Sequence, residues 1–546
     1  MKGLMQDWPL RVSSILDHAA RFHGEREIVS RSVEGPIVRT TYAEMNVRAR
    51  KVAQALRRLG VKEGEVVATL AWNTGRHMEA WYGIMGLGAV CHTLNPRLFA
   101  EQLVYIINHA EDKYIFVDLT FVPIVEAIEA QCPNVKGYVI MTDAAHMPQT
   151  KLRNALCYET LLDAEDGDFQ WVEVDENAAC GLCYTSGTTG NPKGVLYSHR
   201  SNVLHAMIGA TADAMGLKSV DSVLPVVPMF HANAWGIAFS APMVGAKIVM
   251  PGQKMDGDSI CELLTTEEVT FTAAVPTVWL MLLQYLEKTG KTLDHLKRVV
   301  IGGSAAPRSM IDIFESKYGV EVRHAWGMTE MSPLGTLGSF KAGMEELSHE
   351  EKLDIKVKQG RPPYGVEMKI TDDDGAELPW DGKAFGHLLV RGPSIAKSYL
   401  KGEGGKILDD DGWFDTGDVA TVDQRGFMQI TDRAKDVIKS GGEWISSIEL
   451  ENLAVGHPKV AEAAVIGIAH PKWDERPLLI VVLKEGETAT KEEILHYMDG
   501  KIAKWWMPDD VAFIDEIPHT ATGKIQKLAL RDKFKDYKLP TANAAE

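Results

Sequence analysis

Apolar residues in the first third of the chain recur with two alternating periods, one typical of helices and one typical of strands. A helical spacing covers residues 42–59, and short, nearly continuous apolar runs cover Val66–Leu70 and Tyr114–Val117. The same rhythm returns between about residues 182 and 338, where strands are predicted at 246–250, 271–275, Arg298–Ile301 and 321–325. Helices that alternate with buried strands are typical of layered α/β structures.

The pattern changes after residue 360, where short strands with Gly and Asp turns predict a β-rich segment. A compact tail follows residue 430, and within it Ser446 and Glu449 have the spacing of a capping box that opens a helix. The predicted elements of these two regions are strands at 368–371, 387–391, 460–468 and 478–482, and helices at 447–455 and 491–505.

We therefore predict an α/β protein with two unequal parts. Residues 1–431 form a large N-terminal domain with two layered α/β subdomains and a β-rich subdomain, and residues 432–546 form a small α+β domain. At 546 residues the chain exceeds the size at which a single core keeps growing, which also indicates more than one domain.

Charge and composition exclude several classes of function. The chain has 75 acidic against 58 basic residues, and the net charge of −17 disfavours binding to nucleic acid or to an anionic membrane. Its apolar runs are too short to cross a bilayer, and Asp7 and Pro9 interrupt the segment where a secretory signal would be apolar, so we expect a cytoplasmic protein. Cys180 and Cys183 form a C-x-x-C pair without a second Cys or His pair nearby, which favours two core thiols over a metal site.

The run from Thr185 to Gly194 reads Thr-Ser-Gly-Thr-Thr-Gly-Asn-Pro-Lys-Gly. Its glycines allow the backbone to approach an anion closely, while the hydroxyls and the Lys193 ammonium supply donors, as a polyphosphate site requires. Lys193 is followed by Gly194 instead of Ser or Thr, so the run does not match the loop of kinases and GTPases. A solvated turn remains the ordinary alternative for such a composition.

Three further motifs each carry one candidate group. Glu330 ends the run Trp-Gly-Met-Thr-Glu, and its carboxylate next to the Thr329 hydroxyl suits Mg²⁺ against phosphate oxygens. Asp418 ends a Gly-rich turn and is the residue type that accepts hydrogen bonds from a ribose diol. Lys524 follows a flexible Thr-Gly segment. Taken singly, the three motifs read equally well as an exposed loop, a β-turn and a solvated lysine.

Together, and in this order, the motifs resemble the adenylate-forming superfamily of acyl-CoA synthetases, adenylation domains and luciferases. The run Asp-Arg-Ala-Lys-Asp at 432–436 resembles the hinge of that superfamily. The resemblance covers nearly the whole chain, and within the superfamily it is nearest to the short- and medium-chain fatty acyl-CoA synthetases, including the 3-methylmercaptopropionyl-CoA ligases.

The resemblance implies ATP, Mg²⁺ and coenzyme A, with a small C-terminal domain that moves about a hinge at Lys435. It implies Mg²⁺ ligands at Thr185 and Glu330 and an adenylation lysine at Lys524, with Lys435 also in the catalytic set. The other implied nucleotide and coenzyme A contacts are Ser186, Gly187, Thr188, Thr189, Gly190, Lys193, His231, Gly303, Ser304, Ala305, His324, Ala325, Trp326, Gly327, Thr329, Asp418, Arg433, Gly441, Gly442, Glu443 and Trp444. The implied acyl pocket is His231, Trp235, Gly302, Gly303, Trp326 and Pro333.

The expected reaction joins two anions, so cations must be in place before a carboxylate attacks the α phosphate. We expect Lys524 to bridge the two groups, and rotation about Lys435 then to remove it and to bring residues 441–444 to the site. The segment 229–235 contains no carboxylate for an amino-acid substrate, which favours an apolar acid. Trp235 and Trp326 disfavour long chains and suit a thioether.

We therefore expect an AMP-forming acyl-CoA ligase acting on 3-(methylthio)propanoate, with butyrate to octanoate as the alternative substrates. Two rivals are a carrier-loading adenylation enzyme and a non-catalytic ATP sensor. The chain ends soon after Lys524 without a carrier domain, which disfavours the first, and a sensor has no need of Lys524. A homodimer is suggested by the resemblance alone.

Overall fold

The computed structural model describes residue 1 and residues 3–185, 191–434, 436–441, 443–519 and 525–545, without the side chains of 443, 444 and 543–545. Its strands are β1 Glu27–Arg31, β2 Ile37–Thr41, β3 Val66–Leu70, β4 Val90–Thr93, β5 Tyr114–Val117, β6 Gly137–Ile140, β7 Ala155–Cys157, β8 Ala179–Tyr184, β9 Gly194–Ser198, β10 Ser222–Pro225, β11 Lys247–Met250, β12 Phe271–Ala274, β13 Arg298–Ile301, β14 Glu321–Gly327, β15 Leu334–Leu337, β16 Glu367–Thr371, β17 Phe385–Arg391, β18 Phe414–Val422, β19 Met428–Arg433, β20 Ile438–Ser440, β21 Glu443–Ile445, β22 Val460–His470, β23 Asp474–Leu483 and β24 Asp510–Phe513.

The helices alternate with these strands along much of the chain. They are α1 Val12–Phe22, α2 Tyr42–Arg58, α3 Gly75–Gly86, α4 Ala100–Ala110, α5 Val122–Ile128, α6 Tyr158–Asp163, α7 His199–Ala210, α8 Ile237–Val244, α9 Gly257–Thr266, α10 Pro276–Thr289, α11 Arg308–Asp312, α12 His349–Lys356, α13 Ser447–Val455, α14 Lys491–Met498 and α15 Lys527–Lys533. Each helix in the described part of the chain is too short or too polar to cross a membrane.

Helix α2 shows how local sequence sets an element. Thr41 caps its first turn, with the backbone N–H of Glu44 donating to Thr41 Oγ1 at 3.3 Å and the backbone N–H of Thr41 donating to the Glu44 carboxylate at 2.9 Å. Gly60, with φ +81°, follows the last turn, a conformation that ends helices. The predicted helix at 42–59 is confirmed to within one residue.

Two sheets of mainly parallel strands form the large part of the molecule. One has the order β7-β6-β5-β3-β4-β8-β9 and the other the order β15-β14-β13-β12-β10-β11-β1-β2. In each, antiparallel pairing is limited to the ends: β8 with β9 in the first sheet, and β1 with β2 and β14 with β15 in the second. The expected α/β class is confirmed.

The two sheets exchange strands along the sequence. The hairpin β1–β2 precedes every strand of the seven-stranded sheet, yet β1 pairs with β11 of the other sheet. Likewise β8 and β9 come after the first α/β segment, and still β8 pairs with β4 and β9 pairs with β8. The two α/β rhythms in the sequence therefore do not map onto the two sheets as separate segments.

The core has layers because successive strand residues point to opposite faces. In β5, Phe116 packs into a cluster with helices α1, α2, α3, α7 and α8 between the sheets, whereas Ile115 and Val117 pack against α4 and α5 outside. In β13, Val300 joins the central cluster, and its neighbours pack with α9 and α10 on the far side. The large part of the molecule therefore has five layers: one layer of helices lies between the two sheets, and a further layer of helices covers the outer face of each sheet. Cys180 and Cys183 are buried thiols, as predicted.

Strands β16–β19 form an antiparallel sheet, in agreement with the predicted β-rich segment. The C-terminal residues form a further sheet, β21-β20-β23-β22 with β24 beside β23, between helices α13 and α14 on one face and α15 on the other. The predicted helix at 491–505 is wrong in length, because α14 ends at Met498. Asp499 has an extended backbone and Gly500 has φ +74°, so the helical path stops there. A short 3-10 turn, Lys504–Trp506, covers the remainder.

Candidate active site

A cavity of about 1000 Å³ lies at the carboxyl ends of several parallel strands, which is where open α/β sheets bind ligands. Thr185 follows β8, Gly302 and Gly303 follow β13, and Glu330 follows β14. The lining also includes the loop after β17 and the start of α15. The predicted site residues on its surface are Thr185, Lys193, His231, Trp235, Gly302, Gly303, Ala325, Trp326, Gly327, Thr329, Glu330, Pro333 and Arg433.

The two described ends of the phosphate-loop motif are joined by hydrogen bonds. The backbone N–H of Thr185 donates to the carbonyl of Lys193 at 2.9 Å, and the backbone N–H of Lys193 donates to Thr185 Oγ1 at 3.1 Å. These bonds continue the β8–β9 hairpin into the loop. Thr185 and Lys193 therefore stand side by side at the rim of the cavity, and the predicted contacts Ser186, Gly187, Thr188, Thr189 and Gly190 lie outside the described residues.

Tyr399 connects the two charged groups at this end of the cavity. Its hydroxyl donates to Glu330 Oε1 at 2.7 Å, and the Lys193 ammonium lies 5.0 Å from the centre of its ring. Burial, and then the neighbouring Glu330 carboxylate, raise the pKa of Tyr399 well above its usual value, so the phenol stays protonated. Sequence reasoning missed this residue, because a tyrosine between two strands carries no signal of its own.

The loop that carries Tyr399, residues 395–404, is fixed to the large part of the molecule at both ends. The backbone N–H of Ala396 donates to the carbonyl of Glu330 at 2.7 Å. Near the other end, Glu403 accepts a hydrogen bond of 2.6 Å from the Tyr105 hydroxyl of α4. We call this segment the 395–404 loop.

Asp418 and Arg433, the predicted ribose contacts, are partners across β18 and β19. Arg433 Nε lies 2.8 Å from Asp418 Oδ1, and Trp326 Nε1 donates to Asp418 Oδ2 at 2.8 Å. The Asp418 side chain is 3% exposed and Arg433 is 39% exposed, so the arginine faces the cavity and the carboxylate lies behind it. The pair joins the β-rich sheet to the indole of Trp326.

His324 lies behind the cavity wall instead of on it. It is fully buried, its Nε2 accepts the backbone N–H of Ala306 at 3.2 Å, and its Nδ1 lies 3.1 Å from the Val357 carbonyl. Burial lowers the pKa of His324 to about 4, so the ring is neutral at physiological pH. Ser304 and Ala305 are likewise not among the lining residues. His324 thus holds the turn after β13, and Gly303 is the part of that turn that reaches the cavity.

The apolar end of the cavity depends on a left-handed turn at residues 232–236. Ala232, Asn233, Ala234 and Trp235 have φ between 42° and 56°, and Gly236 follows with φ +77°. Such values cost non-glycine residues roughly 1–2 kcal/mol each. The turn directs Trp235 against Gly302, where an added Cβ would lie 3.1 Å from Trp235 Cη2. Other lining residues at this end, which sequence reasoning missed, are Met215, Val300, Leu334 and Leu337.

The C-terminal part of the chain reaches the same cavity. Ile525, Gln526 and Lys527 line it, and so do Leu528 and Arg531 of α15. Lys527 is buried, which by itself lowers the pKa, but Glu451 and Asp432 raise the pKa of Lys527 above its usual value. The predicted Lys524, Lys435 and Gly442 lie outside the described residues.

Gly441, the first residue of the predicted coenzyme A loop, lies away from the cavity. Gly441 has φ +60°, and an added Cβ would lie 2.9 Å from the Trp473 ring. Its backbone N–H donates to the Trp473 carbonyl at 2.9 Å. Gly441 is not among the residues that line the cavity, and the side chains of Glu443 and Trp444 lie outside the described part of the structure.

A layered α/β body, a β-rich sheet and a C-terminal α+β unit that meet at one cavity define a known class of fold. Residues 16–400 match the family model of the AMP-binding enzyme, and residues 449–524 match that of the AMP-binding enzyme C-terminal domain. The chain therefore belongs to the AMP-binding enzyme family.

Three relatives match this chain over nearly their whole length. A 3-methylmercaptopropionyl-CoA ligase of Ruegeria lacuscaerulensis is 52% identical, covering 98% of this chain and 99% of its own. A medium-chain-fatty-acid–CoA ligase of Ectopseudomonas oleovorans is 50% identical, covering 100% of both. A long-chain-fatty-acid–CoA ligase of Thermus thermophilus is 49% identical, covering 98% of this chain and 97% of its own.

Solved structures agree in fold. An anthranilate CoA ligase in complex with anthranoyl-AMP superposes with a TM-score of 0.86 at 26% identity, covering 97% of this chain and 99% of that one. MatB of Rhodopseudomonas palustris, 25% identical with 97% and 100% coverage, superposes with a TM-score of 0.82 in its ATP-bound form and 0.74 in its apo form.

Proposed function

We propose that this protein is an AMP-forming acyl-CoA ligase that uses ATP and coenzyme A to activate a short apolar acid. The observation that carries the proposal is one cavity with a charged end, formed by Lys193, Glu330 and Arg433, and an apolar end that contains Trp235. An acyl adenylate has the same two parts, because its phosphate and ribose are polar and its acyl chain is apolar. The names of the three relatives support the same reaction.

In the first step a carboxylate oxygen of the acid attacks the α phosphorus of ATP. The bond from that phosphorus to the bridging oxygen breaks, and pyrophosphate leaves. Lys193 offsets negative charge on the outer phosphates, and Lys524 is proposed to hold the carboxylate against the α phosphate. Thr185 and Glu330 offer the hard oxygen donors that Mg²⁺ prefers, so they fit this ion. Bound there, Mg²⁺ would supply positive charge to the phosphates.

In the second step the coenzyme A sulfur attacks the acyl carbonyl, the thiol proton is lost, and AMP leaves. We propose that residues 432–546 then rotate about Lys435, which removes Lys524 and brings residues 441–444 to the cavity. Ile525 lines the cavity while Gly441 does not, which supports an orientation suited to the first step. The better superposition on ATP-bound than on apo MatB supports the same orientation.

We propose 3-(methylthio)propanoate as the substrate, with butyrate to octanoate as the alternative range. Two indoles, Trp235 and Trp326, line the cavity together with Met215, and such walls suit a thioether by roughly 0.3–1.5 kcal/mol for each contact. The ligase of Ruegeria lacuscaerulensis, 52% identical to this chain, carries this substrate in its name. The relatives named for medium and long chains are nearly as similar, so chain length must be measured.

The test is a panel of linear acids from acetate to dodecanoate plus 3-(methylthio)propanoate, with pyrophosphate release and thioester formation measured for each. We expect the highest kcat/KM for 3-(methylthio)propanoate and falling values beyond octanoate. A maximum at long chains would overturn the substrate assignment. If no acid in the panel stimulated pyrophosphate release, the ligase would be overturned and the non-catalytic ATP sensor would remain. Transfer to a carrier protein but not to free coenzyme A would favour the carrier-loading rival.

Separate half-reactions test the two proposed lysines. Lys524→Ala is expected to abolish acyl-AMP formation while it spares thioester formation from supplied acyl-AMP, and Lys435→Pro is expected to do the reverse. Equal loss of both steps in each variant would contradict domain rotation. We also propose a cytoplasmic homodimer, which light scattering of the purified protein tests directly.

A further inference from the structure

We propose that Tyr399 is a positioning residue, which separates the Lys193 ammonium from the Glu330 carboxylate and holds each at a fixed place in the cavity. This inference rests on the proposed function, since it assigns a role within the same site. Tyr399 is absent from the four motifs and becomes visible only when the 395–404 loop is seen against β8, β9 and the end of β14.

The hydroxyl of Tyr399 fixes the carboxylate. Its bond of 2.7 Å to Glu330 Oε1 restricts rotation of that carboxylate about its last torsion. The Glu330 carbonyl is held as well, by the backbone N–H of Ala396 at 2.7 Å. Side chain and main chain of Glu330 are therefore both bound by the 395–404 loop. Groups that hold a metal ligand in this way typically contribute tenfold to a hundredfold to metal affinity.

The ring of Tyr399 fixes the ammonium. Lys193 Nζ lies 5.0 Å from the ring centre, within the range of a cation–π contact. An added Cβ at Gly404 would lie 3.2 Å from Lys193 Nζ and 3.7 Å from Tyr399 Cδ2, so the same loop packs against the ammonium at a second point beside the ring. The acid contacts the hydroxyl and the ammonium contacts the ring. The phenol thus keeps two opposite charges apart, and both stay available to a metal ion and a phosphate.

The loop is rigid enough for this role. Glu403 is bound to Tyr105 of α4 at 2.6 Å, and Lys401 pairs with Glu111 at 2.8 Å. An added Cβ at Gly194 would lie 3.0 Å from the Leu400 side chain, so the loop packs on the backbone beside Lys193. A ring held in this way cannot move without displacing the anchors on both sides.

The alternative role for Tyr399 is packing alone. Its ring lies against a small buried cluster of Cys183, Val195 and Tyr197. The two roles differ in what they predict for Tyr399→Phe, which keeps the ring and removes only the hydroxyl. Packing predicts no effect on the metal, whereas positioning predicts loss of metal affinity without loss of the fold.

The experiment measures ATP binding by calorimetry at stepped Mg²⁺ concentrations, and Mn²⁺ binding to the ATP complex by electron paramagnetic resonance. For Tyr399→Phe we expect the apparent metal dissociation constant to rise roughly tenfold to a hundredfold, with the ligand-free protein still folded and its Tm lowered only as far as the loss of one hydrogen bond requires. Tyr197→Phe is the matched control, because its hydroxyl donates to the Thr329 carbonyl at 2.6 Å, one residue from Glu330. It should lower the Tm and leave the metal affinity as in the wild type. An unchanged metal affinity in Tyr399→Phe, or an equal rise in Tyr197→Phe, would overturn the proposal.

A second variant separates the two contacts of the ring. Tyr399→Leu removes the cation–π contact as well and should weaken ATP binding further than Tyr399→Phe, and this additional loss should vanish in a Lys193→Met background. Equal losses in both backgrounds would overturn the part assigned to Lys193. If the wild-type protein bound ATP and metal but formed no thioester, the proposed ligase function would be wrong, while the binding measurements would still test the role of Tyr399. An active ligase in which Tyr399→Phe binds metal normally would sink only the positioning role.

Discussion

The two ends of the cavity are built in different ways. At the charged end, Lys193 and Glu330 are fixed by contacts to Tyr399, and Arg433 is fixed by its ion pair with Asp418. The apolar end consists of residues from separate elements, including Met215, Val300 and Leu337, which meet by packing. A charged group acts through its own position, so its replacement should abolish a step. An apolar wall acts through its shape, so its replacement should shift preference. The difference predicts distinct effects on ATP and on the acid.

Lys193→Met at the charged end should have the largest effect. Removal of a preorganised charge from a reacting centre typically lowers kcat by about 10²–10³-fold, or about 3–4 kcal/mol. We expect such a fall in pyrophosphate release, a higher KM for ATP and an unchanged KM for the acid. Steady-state kinetics with each substrate varied in turn checks this. A change confined to the KM for the acid would contradict the separate roles of the two ends.

Gly302→Val should have the largest effect at the apolar end. Its Cβ would lie 3.0 Å from the Ala325 carbonyl oxygen and 3.1 Å from Trp235 Cη2, so the indole must shift into the cavity. Overpacking of this kind costs roughly 1–3 kcal/mol. We expect the KM for the longer acids to rise most and the KM for ATP to stay constant. Gly302→Ala serves as the graded control with a smaller shift in the same direction. An equal rise for all acids would indicate distortion instead of a changed shape.

Asp418→Asn tests the ion pair that holds Arg433 at the charged end. The amide oxygen can still accept from Trp326, but the ion pair with Arg433 at 2.8 Å is lost. A hydrogen bond between charged groups contributes about 1.5–3 kcal/mol when buried, and the 39% exposure of Arg433 places this one at the lower limit. We expect a roughly tenfold rise in the KM for ATP with little change in acid preference. Loss of acid binding instead would mean that Trp326 depends on the charge of Asp418.

Acidification should have the smallest effect: it should lower the free energy of unfolding through the buried histidines behind the cavity wall. His205 lies in α7 and its Nε2 accepts the backbone N–H of Leu334, a lining residue, at 3.0 Å. Burial lowers the pKa of His205 and of His324 to about 4, below the value of about 6.5 expected in the unfolded chain. The unfolded state therefore binds protons first, and the stability that each ring contributes is complete above pH 6.5 and is lost as the pH falls toward 4. Between pH 7.5 and pH 6 the loss should be about 1 kcal/mol for each histidine.

Urea unfolding at the two pH values measures this loss. His324→Gln should be less stable at pH 7.5 and should show a smaller decrease on acidification, because its side chain does not titrate. An identical decrease in the variant and the wild type would show that His324 carries no part of the acid sensitivity.

Local patterns predicted the elements well, and they predicted the charged end of the site for the same reason. Helix α2 and strands β3 and β5 follow from contiguous periodicity and a cap, and Thr185 and Lys193 stand in one motif. The prediction of a helix to residue 505 was wrong, because the backbone leaves the helical conformation at Asp499 and Gly500 although the apolar spacing continues beyond them. Tyr399, Met215 and Val300 were missed, since their roles arise from tertiary contacts between elements far apart in sequence. His324 was expected on the wall and lies behind it, since only the pleat of β14 decides which side chains face the cavity.

The exchange of β1–β2 and β8–β9 between the two sheets affects how the chain can be assembled. During synthesis the hairpin β1–β2 emerges about 200 residues before β11, the strand with which β1 pairs in parallel. A cut near residue 170 would separate β1 and β2 from the eight-stranded sheet and β8 and β9 from the seven-stranded sheet, so neither fragment could form a complete sheet. The large part of this ligase should accordingly melt in a single cooperative transition, and fragments cut there should regain structure only when both are mixed.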